Sequence, residues 1–337
     1  MMKQIGVIGA GGWGTAIALL LAKKGHAVTL WARREELCRH LIKTRENTSY
    51  LPGVLLPANI EVTSCLERAV KSRDMVVIAT PAKAVRLTIE AIKGFIKGDT
   101  IIVSLSKGLE RNTFFRCSQV ISQVAGNEDR VVVISGPNHA EEVARDIPTA
   151  TVAAGYSLST AQEVQEVFMT PKFRVYTNSD VIGVELAGAL KNVIALGAGV
   201  CDGLGYGDNS KATLMTRGLA EIARLGIKLG AEKVTFAGLA GIGDLIATCT
   251  SKHSRNWQAG FALGQGESLE DIRKGMVVEG VATTETASIL AAKVGVSMPI
   301  TEALRQVIFE GKSPHLAVSE LMLRDKAHEI EDILPLE

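Results

Sequence analysis

Lys191 and Asn192 sit in the middle of an apolar run, Glu185-Leu-Ala-Gly-Ala-Leu-Lys191-Asn192-Val-Ile-Ala-Leu196. A helix that is apolar around most of its circumference is normally buried. A buried lysine is costly unless it is paired or used, and burial moves its pKa toward values that suit proton transfer. The competing reading is that Lys191 snorkels its ammonium to the surface. Position alone does not choose between them. The company that an active lysine needs must come from elsewhere in the chain.

Three further groups supply it. Gly9-x-Gly11-x-x-Gly14 directly follows an apolar strand and opens a helix. In that context the glycines permit a tight turn, close approach to a pyrophosphate, and tight helix–strand packing. The helix N-terminus then offers free N–H groups and the positive end of its dipole. After the second strand the chain reads Trp31-Ala32-Arg33-Arg34, where an NAD-preferring site usually has an acid for the ribose. Arginines suit a 2′-phosphate, so NADPH is expected to be preferred, with NADH as the alternative. Otherwise Arg33 and Arg34 are ordinary solvated charges.

The other two groups suit a small anionic substrate. Lys107, in Ser106-Lys107-Gly108, and the segment Ser135-Gly136-Pro137-Asn138-His139-Ala140 each follow an apolar strand. Ligands bind beyond such strand ends, which would bring Lys107 into the nicotinamide crevice. Alternatively it is a loop lysine in water. Further along, Gly243-Asp244 opens a helical segment with Thr248 one turn on, and Ser254-Arg255-Asn256 follows. Asp244 also reads as a simple helix cap. Arg255 offers a planar fork for phosphate oxygens, and Ser254 and Asn256 add neutral hydrogen bonds.

The elements that must position these groups fall into two halves. Apolar strands are expected at 3–8, 27–31, 75–79, 100–104 and 130–134, with helices between them, the pattern of a doubly wound parallel sheet. Added strands are expected at 149–154 and 173–177. Beyond residue 180 the strand pattern stops, and helices are expected at about 181–200, 209–229, 243–249, 254–264, 282–292, 300–308 and 314–323. The fold class is therefore α/β with a Rossmann-like N-terminal sheet and an all-α C-terminal domain. The boundary is expected at 190, giving a dinucleotide-binding domain 1–190 and a helical substrate domain 191–337.

The chain has 337 residues, of which 47% are hydrophobic and only 4% aromatic, so aliphatic side chains and alanine must build the cores. A net charge of +1 without a basic block argues against nucleic acid as the partner. Five widely spaced cysteines with no Cys-x-x-Cys pair suit a reducing cytoplasm, and they offer no zinc cluster. The apolar start of the chain lacks a signal peptide's cleavage site, since Lys23-Lys24-Gly25 stands there. Glu185, Lys191 and Asn192 argue against a membrane span near 182–200.

Taken in order, the motifs resemble one family. They are Gly-Ala-Gly-Gly-Trp-Gly-Thr (9–15), Leu-Ser-Lys-Gly (105–108), Ser-Gly-Pro (135–137), Leu-Lys-Asn-Val (190–193), Gly-Tyr-Gly-Asp-Asn-Ser-Lys-Ala (205–212), Ala-Gly-Ile-Gly-Asp-Leu (240–245), Ser-Arg-Asn (254–256) and Val-Val-Glu-Gly (277–280). The chain resembles bacterial NAD(P)-dependent glycerol-3-phosphate dehydrogenases over essentially its whole length. The resemblance implies reversible reduction of dihydroxyacetone phosphate to sn-glycerol 3-phosphate, which supplies glycerophospholipid synthesis. It makes Lys191 the catalytic acid/base. It places Lys107, Gly136, Asn138, Asp244, Ser254, Arg255 and Asn256 at the substrate, with Asn192 and Thr248 near it. It places Gly12, Trp13, Arg33, Arg34, Lys107, Ala140, Arg255, Val277 and Glu279 at the cofactor, beside Gly9, Gly11 and Gly14. It also implies a homodimer and no metal. Asn138 departs from the family, which usually has Ser or Thr there.

The physics suits that activity. When hydride reaches the C2 carbonyl, charge builds on its oxygen, and the Lys191 ammonium can stabilise that charge and donate the proton. Lys107 and burial should lower the Lys191 pKa, and Asp244 should raise it. Two rivals use parts of the same constellation. One is another lysine-dependent reductase of the same architecture, such as a β-hydroxyacid dehydrogenase or a ketopantoate reductase; the former usually carries Gly-x-x-x-Lys-x-x-x-Asn, which Gly188-x-x-Lys191-Asn192 does not match, but a carboxylate substrate could still use Arg255. A non-enzymatic NADPH-binding regulator would need the glycine loop but not Lys107, Lys191 and Asp244 together.

Overall fold

The structure, a computed structural model, describes residues 2–325. The chain divides into two compact units. Unit 1 comprises Met1–Lys107 and Phe115–Val181, and unit 2 comprises Gly108–Phe114 and Ile182–Glu337.

Unit 1 is a sheet wrapped by helices. Its strands are β1 (Gln4–Ile8), β2 (Ala27–Trp31), β3 (Glu46–Asn47), β4 (Leu51–Leu55), β5 (Ile60–Thr63), β6 (Met75–Ile78), β7 (Ile101–Ser104), β8 (Val131–Ser135), β9 (Thr149–Gly155) and β10 (Phe173–Asn178). Its helices are α1 (Gly12–Lys23), α2 (Glu35–Thr44), α3 (Leu66–Val70), α4 (Val85–Ile92), α5 (Cys117–Ala125), α6 (Ala140–Ala144) and α7 (Leu158–Phe168). Eight strands form one sheet in the order β10-β9-β8-β7-β6-β1-β2-β5, and β3 and β4 form a separate hairpin. The strand order reverses at β1, which pairs with both β2 and β6. A doubly wound sheet binds ligands at such a switch point, and the glycine loop leaves β1 there. β1, β6, β7 and β8 are almost wholly buried because helices cover both faces.

The expected parallel sheet needs one correction. Every pairing in it is parallel except β8 with β9, which is antiparallel. A parallel return needs a long crossover. The only helix between these two strands, α6, has five residues, and the chain turns straight back. β5 carries no strand signal in the sequence, because it is an edge strand whose Ile-Glu-Val-Thr alternates and offers no continuous apolar run.

Unit 2 is helical, with α8 (Val181–Gly203), α9 (Asp208–Lys228), α10 (Asp244–Thr250), α11 (Arg255–Gly264), α12 (Leu269–Gly275), α13 (Glu279–Val294), α14 (Pro299–Glu310) and α15 (Pro314–Met322). α12, Leu-Glu-Asp-Ile-Arg-Lys-Gly, is too short and polar to show an apolar periodicity in the sequence. A π-helical turn, Leu239–Gly243, leads into α10. Gly241 is obligatory in that turn, since a Cβ there would lie 2.1 Å from the Phe236 carbonyl oxygen.

The expected boundary at 190 falls inside α8, whereas the units part at Val181. The physical reason is that α8 is one continuous helix. From Leu186 to Val200 its apolar residues belong to a single core with Ile222, Leu225, Phe236 and Leu245. The segment 108–114 also joins unit 2. Leu109 enters that core, Arg111 pairs with Glu285 at 2.9 Å, and the Lys293 ammonium stands 4.2 Å from the Phe114 ring centroid. Among the described residues α8 is long and apolar enough to cross a membrane, but 94% of its apolar window is buried, which makes it a core helix.

A buried acid joins α9 to α14. Glu221 accepts hydrogen bonds from the backbone N–H groups of Ile300 (2.6 Å) and Thr301 (3.1 Å) and from the Thr301 hydroxyl (3.0 Å), capping a helix that has no side-chain cap of its own. Burial pushes its carboxyl up to about 7, against the pull of those donors and of Arg224. A raised pKa in the folded state means that the neutral acid is favoured by folding. Its stabilisation is full below about 4.5 and is lost as pH rises through about 7. Chemical denaturation at pH 5 and pH 8 should therefore show lower stability at pH 8, by about 3 kcal/mol at most from this group. Glu221→Gln should lower stability at pH 5 and flatten the slope. An unchanged slope in that variant assigns the pH dependence to other groups.

Candidate active site

In unit 1 the glycine loop is built by steric necessity. Gly9 has φ +122°, and a Cβ on it would meet the Ala79 carbonyl oxygen at 2.7 Å. A Cβ on Gly14 would lie 1.9 Å from the Gly9 carbonyl oxygen. Gly11 differs, because a Cβ there would meet nothing within 4 Å. It is the N-cap of α1 and, having no side chain, offers the first-turn N–H groups no side-chain acceptor. Trp13 Nε1 is buried with no hydrogen-bond partner among the described residues. A helix N-terminus without a side-chain cap, free space over Gly11 and an orphaned donor fit a dinucleotide. Ala140 opens α6 with its Cβ 3.8 Å from where a Gly12 Cβ would lie.

Two residues that hold this loop carried no sequence signal. Asn47, fully buried, donates through Nδ2 to the Ala10 carbonyl at 3.0 Å and to Thr15 Oγ1 at 2.8 Å. Tyr50 accepts a hydrogen bond from Arg34 Nη2 at 2.9 Å, and its backbone carbonyl limits the space at Gly12. Both stand in the β3–β4 hairpin, which shows no apolar periodicity. Arg33 and Arg34 are exposed where β2 gives way to α2.

Beyond β7 and β8, Lys107 Nζ donates to the Gly136 carbonyl (3.3 Å) and to Asn138 Oδ1 (3.2 Å). Asn138 Nδ2 in turn donates to Thr151 Oγ1 at 3.1 Å, and Thr151 donates to the Ser135 carbonyl at 3.0 Å. Lys107 is therefore not a loop lysine in water. Thr151, which locks the group, read in the sequence only as a strand former.

In unit 2 Lys191 does not snorkel. Its side chain is 7% exposed and pairs with Asp244 Oδ1, itself 2% exposed. Nζ also donates to Thr248 Oγ1 at 2.6 Å, and Thr248 donates to the Asp244 backbone carbonyl at 2.7 Å. Asp244 is the first residue of α10, not its cap, which is Gly243. Its carboxylate is aimed at Lys191. A buried ion pair contributes little net stability against an apolar alternative. Nearby, burial pushes the Cys249 thiol up to about 12 although Lys191 pulls it down, which leaves it unreactive.

The same unit gathers the α11 residues. Ser254 Oγ caps α11 by accepting from the Trp257 N–H at 3.2 Å. Asn256 Nδ2 donates to Asn192 Oδ1 at 2.8 Å, and Asn256 Oδ1 accepts from the Gly280 N–H at 2.8 Å. That second bond ties the 277–280 segment, with exposed Val277 and with Glu279, to the start of α11. Arg255 is exposed, on the first turn of that helix.

Comparison with known proteins follows the same division. A family model described as the NAD-dependent glycerol-3-phosphate dehydrogenase N-terminus matches residues 4–161, and one described as the C-terminus of the same family matches residues 180–319. The chain belongs to the NAD-dependent glycerol-3-phosphate dehydrogenase family. It is an oxidoreductase. The glycerol-3-phosphate dehydrogenase (NAD(P)+) of Moorella thermoacetica is 55% identical over 98% of this chain and 99% of its own. That of Pelotomaculum thermopropionicum is 53% identical over 99% and 97%. The crystal structure of glycerol-3-phosphate dehydrogenase from Coxiella burnetii superposes with a TM-score of 0.92 at 36% identity, covering 96% of this dehydrogenase and 99% of that chain. A ketopantoate reductase from Ralstonia eutropha shares the fold alone, at 16% identity and a TM-score of 0.62.

Proposed function

We propose that this dehydrogenase reversibly reduces dihydroxyacetone phosphate to sn-glycerol 3-phosphate, prefers NADPH to NADH, and supplies glycerophospholipid synthesis. The observation that carries this reading is the buried Lys191–Asp244–Thr248 cluster, joined through Asn192 to the α11 turn that bears Arg255. When bound, the reduced cofactor supplies the hydride. The α1 N-terminus and Gly11 would hold its pyrophosphate, and Arg33 and Arg34 its 2′-phosphate.

In this reading Lys191 donates a hydrogen bond to the C2 carbonyl oxygen, stabilises the charge that develops there and gives up its proton. Asp244 and Thr248 hold the ammonium in one orientation. Arg255, on the first turn of α11, takes the phosphate, and that remote binding orients the carbonyl. Lys107, fixed by Gly136 and Asn138, adds positive charge for the substrate dianion. We also place the enzyme in the cytoplasm as a homodimer, which light scattering on the purified protein tests.

The direct test follows NADPH and NADH oxidation with dihydroxyacetone phosphate beside 2-keto acids; turnover confined to the 2-keto acids would overturn the substrate. For the cofactor, kcat/KM should be higher with NADPH, and Arg33→Ala combined with Arg34→Ala should narrow the difference by about tenfold or more, as expected for lost charge-assisted contacts. Equal or better kcat/KM with NADH in the wild type means that these arginines do not read a 2′-phosphate.

A further inference from the structure

Asp202, in the last turn of α8, and Lys211, in the Gly-Tyr-Gly-Asp-Asn-Ser-Lys-Ala segment, stand outside the reacting centre. Both carboxylate oxygens of Asp202 are engaged. Oδ1 pairs with Lys211 Nζ at 2.8 Å, and Oδ2 accepts from Trp257 Nε1 at 2.7 Å. The pair is largely covered, with side-chain exposures of 18% for Asp202 and 21% for Lys211. Trp257 follows Arg255 and Asn256 in the first turn of α11, and its ring stacks on Phe261 at 5.2 Å between centroids.

The backbones of α8 and α11 also meet without side chains between them. A Cβ on Gly199 would lie 2.1 Å from the Trp257 carbonyl oxygen, and one on Gly260 would lie 1.9 Å from that of Leu196. Upstream, Asn256 bonds Asn192, the neighbour of Lys191. The first turn of α11 is thus tied to α8 at two separated points, Asn192 and Asp202, with a glycine contact between them. One helix carries both Lys191 and the anchors of the turn that bears Arg255.

We propose that Asp202, held by Lys211, and the Trp257 indole are positioning residues that fix the reach from Lys191 to the phosphate-binding turn of α11. The proposal rests on Arg255 binding the substrate phosphate. An indole has one N–H donor, so its bond to a charged acceptor selects one orientation of the turn. Lys211, 2.8 Å from Oδ1, keeps that acceptor in place. A displaced anchor misplaces the carbonyl of a phosphorylated substrate, and a shift of about 1 Å can cost about 10²-fold. A substrate without a phosphate does not use the anchor and is spared.

The test compares Trp257→Phe, which keeps the ring on Phe261 and deletes the donor, with Asp202→Asn, which keeps an acceptor but loses the charge. Each is assayed with saturating NADPH on dihydroxyacetone phosphate and on unphosphorylated dihydroxyacetone, beside Arg255→Ala. Both variants should lose about tenfold or more in kcat/KM for the phosphorylated substrate, mainly through KM, and stay within about twofold on the other. Equal losses on both substrates, or none on either, overturn the proposal. If Arg255→Ala shows no phosphate-selective loss, the phosphate assignment fails and the proposal falls with it. If Arg255→Ala does show that loss and both other variants match the wild type, only the positioning role is overturned.

Discussion

Replacing Lys191 with alanine should lower kcat at least about 10²-fold, the lower range for loss of a positioned acid, while NADPH still binds. Lys191 belongs to unit 2, and the glycine loop belongs to unit 1. Its removal therefore leaves the loop, Asn47 and the arginines intact. The substitution also removes one member of a buried ion pair, which costs about 3–5 kcal/mol. Stability and cofactor affinity must be measured with turnover. Lys191→Ala combined with Asp244→Ala removes both charges and separates chemistry from a folding defect. Near wild-type kcat in a folded variant would take Lys191 out of the mechanism.

Arg255→Ala should raise KM for dihydroxyacetone phosphate steeply. Loss of a charge-assisted pair to a dianion costs about 2–5 kcal/mol by analogy with buried charged pairs. Ser254 and Asn256 are committed to capping α11 and to the Asn192–Gly280 bridge, which leaves Arg255 as the charged member of that turn. The loss should be much smaller with unphosphorylated dihydroxyacetone. Lysine should rescue only partly, because a point charge lacks the fork geometry. The deciding quantity is the mutant-to-wild-type ratio of kcat/KM for the two substrates. Equal ratios would mean that Arg255 acts on the cofactor or the fold.

Much of this was legible in the residues. The buried strands are continuous apolar runs, and the glycine loop announces its turn, because a fully buried strand and a φ of +122° at Gly9 leave few residue types to choose from. Lys191 stood out because an ammonium inside an apolar helix demands a partner. The Ser-Arg-Asn segment read as a phosphate-type group on its own, and the resemblance added the Val-Val-Glu-Gly segment, whose local pattern says little alone.

What stayed hidden has a common physical character. The antiparallel β8–β9 pairing depends on where a short connection lands, and no periodicity encodes that. The 108–114 segment joins unit 2 through Leu109, Arg111 and Phe114, whose partners lie far along the chain. Asn47, Tyr50 and Thr151 are ordinary polar residues until the fold puts a backbone carbonyl, a guanidinium or an asparagine beside them. Asp244 is the sharpest instance. By sequence it was a cap or a partner, and only packing α10 against α8, across a separation of 53 residues, aimed its carboxylate at Lys191. Local sequence determines periodicity, turns and the need for a buried charge to be satisfied. Which group satisfies it is a matter of tertiary distance, and the folded core alone decides that.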